Sequence, residues 1–94
     1  MPDDDRAAGL ARTLVEERLA ACVNVHAPMT STYRWKDAVE SAQERQVVIK
    51  TTRGRRAGLE ARLRALHPYE LPELVVLDAA GSEAYATWVR GVTP

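Results

Sequence analysis

The seven residues from His67 to Glu73, HPYELPE, set one imidazole beside two prolines, a tyrosine and two carboxylates. Imidazole suits copper and zinc, so His67 is the first candidate for a metal ligand. The same stretch also reads as a corner. Pro68 and Pro72 lack amide donors and restrict the residues before them, which stops a helix. A histidine at a helix C-terminus can then satisfy the last carbonyls and the dipole. Cys22 is the one cysteine of the chain. A soft thiolate suits Cu(I), and a lone buried cysteine equally serves as a small core residue. His26 falls on the polar face of a strand pattern and reads as solvated. The chain has no glycine-rich phosphate loop, no paired-cysteine zinc motif and no nucleophile elbow, so no catalytic constellation stands out and the expectation is a protein that is not an enzyme.

The 94 residues suffice for one domain, 1–94, and are too few for two. Hydrophobic content is 46% and charged content 28%, the balance of a globular rather than a disordered chain. Formal net charge is zero, so there is no electrostatic footprint for nucleic acid or an anionic membrane. A single cysteine permits no intrachain disulfide, which suits a reducing compartment. The start, MPDDDRAAG, is acidic and lacks the basic and apolar regions of a signal peptide, and no apolar run approaches a membrane span. The expectation is a cytoplasmic protein with no nucleic-acid or membrane partner.

Hydrophobic spacing places the elements around these candidates. Ala7, Leu10, Ala11, Leu14, Val15 and Leu19 recur at helical spacing, which predicts a helix over 3–21 with Asp3, Asp4 and Asp5 at its cap. Gly9 in that helix suggests close packing. From Cys22 the period becomes two, and TSTYRW, Thr30 to Trp35, is rich in β-branched and aromatic residues. Pro28 marks a bulge or an edge position. Trp35-Lys36-Asp37-Ala38 reads as a hairpin turn, followed by a second long strand from Val39 to Thr52. A helix over 55–66 carries Leu59, Leu63 and Leu66 on one stripe. LVVL, Leu74 to Leu77, is a continuous apolar run typical of a strand buried on both faces. Ser82 caps a last helix whose apolar face holds Tyr85, Trp88 and Val89, with Tyr85 and Trp88 as core or interface aromatics. The two middle strands run for about 13 residues each, or ~40 Å, which a domain this small cannot cover. The outer half of the hairpin should therefore pair with another chain.

LVEERLAACVNV (Leu14 to Val25), TSTYRW, VVIKTT (Val47 to Thr52), HPYELPELVVL (His67 to Leu77) and YATWV (Tyr85 to Val89) together resemble the CutA divalent-cation tolerance family, in its order and spacing and over nearly the whole chain. The resemblance implies an α/β (α+β) ferredoxin-like sandwich with a long β-hairpin, assembled as a homotrimer whose hairpins cross subunit boundaries. It implies a role in divalent-ion tolerance through weak binding of copper or another divalent cation. His67 and Cys22 become the proposed metal ligands. Tyr33, Trp35, Lys50, Tyr69 and Glu70 fall in the matching motifs and are assigned to a cleft between subunits. A PII-like small-molecule sensor, or a hydrolase or isomerase using Lys50 and Glu70 as acid and base, are the alternatives.

Two departures from the family pattern matter. Family members have a hydrophobic strand before the turn at which this chain opens, Met1-Pro2-Asp3, so an in-frame apolar strand is expected upstream of Met1. Asp37 stands where the family often has glycine, a mild change because aspartate tolerates left-handed angles. Leu66, where some members supply a further ligand, cannot bind metal.

Overall fold

The computed structural model describes residues 1–2, 4–67 and 73–94. Helix α1 (Arg6–Glu16) leads into strand β1 (Cys22–Val25) and then β2 (Met29–Trp35). Strands β3 (Ala38–Glu44) and β4 (Val47–Lys50) follow. A 3-10 turn at Arg53–Arg55 opens helix α2 (Arg56–Leu66), and helix α3 (Glu83–Val92) closes the chain.

Helix α1 forms where the spacing demands, and its face of Ala7, Leu10 and Leu14 is buried. It ends five residues before the expected limit of 21. The reason is a Schellman turn: the Arg18 N–H donates to the Val15 carbonyl, and the Leu19 N–H donates to the Leu14 carbonyl. Arg18 supplies the left-handed residue that this motif requires, with φ 58°, where glycine is the usual occupant. The turn folds Leu19 back onto the core formed by Leu10, Leu14, Ala20, Leu59 and Leu63, against which Val23, Ile49 and Met1 also pack. Close packing falls at Gly58 rather than Gly9. A Cβ at Gly58 would lie 3.2 Å from a Leu19 methyl, whereas one at Gly9 would meet nothing within 4 Å. At the other end of α1, the Asp4 carboxylate accepts the Arg6 N–H at 3.0 Å and pairs with the Arg6 guanidinium, which lowers the Asp4 pKa.

The four strands are one bent hairpin. β1 pairs antiparallel with β4, from Cys22↔Lys50 to Val25↔Val47. β2 pairs with β3, from Met29↔Glu44 to Trp35↔Ala38. Between the ladders the first arm has three residues, His26 to Pro28, and the second has two, Arg45 and Gln46. The extra residue is a bulge at Pro28, as its missing donor suggests. Val39 to Thr52 is accordingly not one strand: the ladder breaks at Arg45, whose N–H turns to the Met1 carbonyl at 2.7 Å. The tip turns through Lys36 and Asp37, both left-handed at φ 49° and 64°, the requirement of a two-residue primed turn.

One face of the β2–β3 ribbon is polar, with Thr32 and Ser41 hydroxyls 3.2 Å apart and the Gln43 amide donating to Thr30 Oγ1 at 2.7 Å. The other presents Met29, Tyr33 and Trp35, with Met29 and Tyr33 exposed. Most ribbon residues are exposed, and the molecule measures 45 × 24 × 22 Å.

Two apolar expectations fail in the C-terminal third. Leu59 and Leu63 are buried on α2, but Leu66 is 38% exposed, because the last turn of the helix projects beyond the core that its first two leucines fill. Leu74 to Leu77 is not a buried strand: it forms no ladder among the described residues, and Val75 and Leu77 are 70% and 82% exposed. An apolar run becomes a buried strand only where neighbours supply backbone partners, and none of the described strands lies against it. Helix α3 is capped as expected, the Ser82 hydroxyl accepting the Tyr85 N–H. Only Val89 of its apolar face is buried, while Tyr85 and Trp88 are exposed, so neither aromatic is a core residue of this chain.

Two substitutions test this account. Leu14→Ala empties the centre of the core and is expected to cost about 2–5 kcal/mol in a denaturant melt. Arg18→Gly relieves the left-handed strain at the end of α1 and is expected to raise stability by about 0.5–1 kcal/mol. A loss on Arg18→Gly would mean that the side chain contributes more than its backbone angle costs.

Candidate functional site

His67 is the C-cap of α2, with extended backbone angles, and its N–H donates to the Leu63 carbonyl at 2.8 Å. The stop-and-turn reading therefore describes its backbone. Its side chain does something the sequence does not announce. Partial burial lowers the His67 pKa, the nearby Met1 ammonium lowers it further, and the Glu44 carboxylate opposes both. Glu44 also accepts the Met1 ammonium at 3.3 Å. An imidazole, an amine and a carboxylate thus gather where β3 ends.

The other proposed ligand lies elsewhere. Cys22 opens β1 opposite Lys50, is half-buried, and directs its Sγ toward Asn24 Oδ1 at 3.8 Å. Glu44 and Lys50 are six residues apart along one arm of the hairpin, about 20 Å at the usual strand rise. Within one protomer, His67 and Cys22 belong to opposite ends of β4 and cannot hold one ion together. Among the described residues no three His, Cys, Asp or Glu side chains form a metal cluster. His26 is exposed, as expected, and its carbonyl accepts from Arg45.

The cleft residues are equally dispersed. Tyr33 and Trp35 stand near the ribbon tip, where the Lys36 ammonium lies 5.6 Å from the centre of the Trp35 ring. Lys50 is at the far end of the hairpin, its ammonium 5.9 Å from the centre of the Tyr85 ring. Tyr69 and Glu70 lie outside the described residues. Among the described residues, Tyr33 and Trp35 are thus not brought together with Lys50 in one chain. Sequence spacing had no means of linking Glu44 to His67, because 23 positions and a bent hairpin separate them.

A shallow groove of about 330 Å³ also opens between the C-terminal turn of α1 and helix α3, lined by Val15, Arg18, Ala21, Trp88 and Val92 among others. Arg18 reaches across it to the Val92 carbonyl at 3.5 Å. A two-pronged ion pair, Arg62 Nε and Nη2 to the Glu17 carboxylate at 2.9 and 2.8 Å, ties α2 to the end of α1. No described helix is long and apolar enough to cross a membrane.

Helices packed on a bent antiparallel hairpin, with the core on one face of the sheet, define an α+β fold of the ferredoxin-like, PII-like type. Solved structures share it closely. The CutA1 protein of Thermus thermophilus superposes with a TM-score of 0.93 at 43% identity, covering 100% of this chain and 92% of that one. A structure described as "PII-like protein CutA" from Nostoc, in apo form, gives 0.91 at 38% identity, covering 99% and 91%. The family model of the CutA1 divalent ion tolerance protein matches residues 1–92. The chain belongs to that family of divalent ion tolerance proteins.

Among its relatives, the divalent-cation tolerance protein CutA of Thermus thermophilus is 45% identical over 91 residues, 96% of this chain and 88% of that protein. The human protein CutA is 41% identical over 98% of this chain, and the chain spans only 52% of its length. A chloroplastic CutA from Arabidopsis thaliana is 34% identical over 94 residues.

The environment of His67 gives a pH test. Its folded pKa lies below the ordinary value of 6.5, so the unfolded chain takes up the proton first. The stabilisation from neutral His67 is complete above pH 6.5 and is lost as pH falls from there through the lower folded pKa. Denaturant midpoints measured across that window should fall with pH for the wild type and fall less for His67→Gln; equal slopes would contradict the assignment.

Proposed function

We propose that this chain acts in divalent-cation tolerance as a homotrimer that binds copper weakly. The match to the tolerance family over residues 1–92 carries the reading. The β2–β3 ribbon supports the trimer. A two-stranded ribbon with both faces in water is marginal alone, and the side carrying Met29, Tyr33 and Trp35 offers apolar surface to another copy. Assembly is also what would turn dispersed residues into a site: Tyr33 and Trp35 of one subunit would meet Lys50, Tyr69 and Glu70 of the next.

His67 supplies the principal ligand in this reading. Burial and the Met1 ammonium keep its imidazole neutral over a wider pH range, the form that coordinates metal, and Glu44 adds an anionic oxygen nearby. Cys22, at the far end of β4, acts as a separate soft donor for Cu(I). Neither set closes a coordination sphere, which is why the affinity is weak. The Nostoc structure's description as PII-like favours a second reading, a trimeric regulator with a small molecule in the inter-subunit cleft.

Copper titration followed by calorimetry, with light scattering on the same samples, tests the proposal. Cu(II) affinity should drop at least tenfold in His67→Ala and little in Cys22→Ser, whereas Cu(I) uptake should drop in Cys22→Ser. Scattering should give three times the chain mass. A monomer, or unchanged copper affinity in both variants, would overturn it.

A further inference from the structure

Arg18 stands where a Schellman turn favours glycine, and its backbone holds φ 58° at a cost that glycine would avoid. Strain of this kind collects at functional positions. Within the chain the Arg18 side chain gains little in return. Its guanidinium donates to the Val92 carbonyl at 3.5 Å, the outer limit of a hydrogen bond. The two carboxylates before it in sequence are taken by other arginines, Glu16 by Arg12 at 2.7 Å and Glu17 by Arg62 at 2.8 Å. Arg18 therefore holds an exposed cation with no carboxylate partner among the described residues.

That cation lies on the groove of about 330 Å³ between the end of α1 and α3, a volume at the small end of the range for ligand sites. Ala20 and Ala21, 2% and 7% exposed, line its buried side. Val15 and Trp88 also line it and are 43% and 46% exposed, so much of their apolar surface is uncovered. The indole of Trp88 is braced from within the chain. The Tyr85 ring lies 5.6 Å from it, tilted by 42°, and the Lys50 ammonium in turn sits 5.9 Å from the Tyr85 ring centre.

We propose that this groove binds a small planar aromatic carboxylate, its ring against Trp88 and Val15 and its carboxylate on the Arg18 guanidinium. A guanidinium meets a carboxylate through two parallel charge-assisted bonds, stronger than the long carbonyl contact that the ligand displaces. A flat ring covers the indole and the valine without needing polar partners of its own. A cationic ligand would be repelled by Arg18, and a neutral one would leave the guanidinium on its long bond. The groove contains neither His67 nor Cys22, so this binding is independent of copper. It also explains the residue at the turn: glycine would relieve the backbone and remove the cation together, so stability and binding trade against each other at one position.

The test uses the full 94-residue chain, isotope-labelled, with naphthoate as the probe. NMR titration reads the indole N–H signals of Trp35 and Trp88, the two tryptophans of the chain. The Trp88 signal should shift saturably while that of Trp35 stays in place. Naphthoate affinity should fall by about tenfold or more in Arg18→Gly, the loss of a charge-assisted pair, while the melting temperature holds or rises. Naphthamide, the same ring without the charge, should bind the wild type about tenfold or more weakly than naphthoate, a comparison that needs no variant. Equal naphthoate affinity in wild type and Arg18→Gly would overturn the proposal, as would equal affinity for naphthoate and naphthamide. A shift confined to Trp35 would place the ring on the ribbon and overturn it. A Trp88 signal that never moves, as when a second copy of the chain covers the groove, would do the same.

Discussion

Everything else in this molecule hangs on the four-residue ladder between Cys22–Val25 and Val47–Lys50. It is the part of the hairpin pressed against the helices, through Val23 and Ile49, and its register fixes which side chains reach the core. The Schellman turn after α1 delivers the chain to this ladder: the Ala21 N–H donates to the Lys50 carbonyl at 2.9 Å, and Thr51 Oγ1 donates to the Leu19 carbonyl at 2.8 Å. If this ladder slipped by one residue, Val23 and Ile49 would face away from the helices and the contacts that hold α1 and α2 on the sheet would be lost.

The same ladder explains why candidate residues end up far apart. His67 is placed by the end of α2 against the start of β4, and Cys22 by the end of β1 against the finish of β4. A rigid pair of strands keeps them separate. Chemistry that needs both ends, or the ribbon aromatics with Lys50, has to be completed between molecules rather than within one.

Much of this was legible in the sequence because it depends on local chemistry. The α1 stripe, the left-handed pair Lys36-Asp37, the Pro28 bulge and the Ser82 cap each follow from residues within a few positions of one another. The motif match over the chain gave the family and its fold. What was not legible depended on partners distant in sequence. The end of α1 was overrun because an arginine takes the position where glycine would have signalled a stop. Leu74–Leu77 has the composition of a buried strand, but composition does not supply a neighbour to pair with. The approach of Glu44 and the Met1 ammonium to His67 arises only once the hairpin has bent.

The bulge at Pro28 also divides the hairpin into two regions with different structural roles. Before it, a changed side chain disturbs helices, sheet and core at once. Beyond it, the ribbon's side chains touch mainly one another and whatever lies outside the chain. The single inserted residue uncouples the facing of the two ladders, so a changed side chain on the ribbon need not disturb the seating of the helices on the sheet. What the ribbon presents at its tip is thereby set independently of the register that seats the helices.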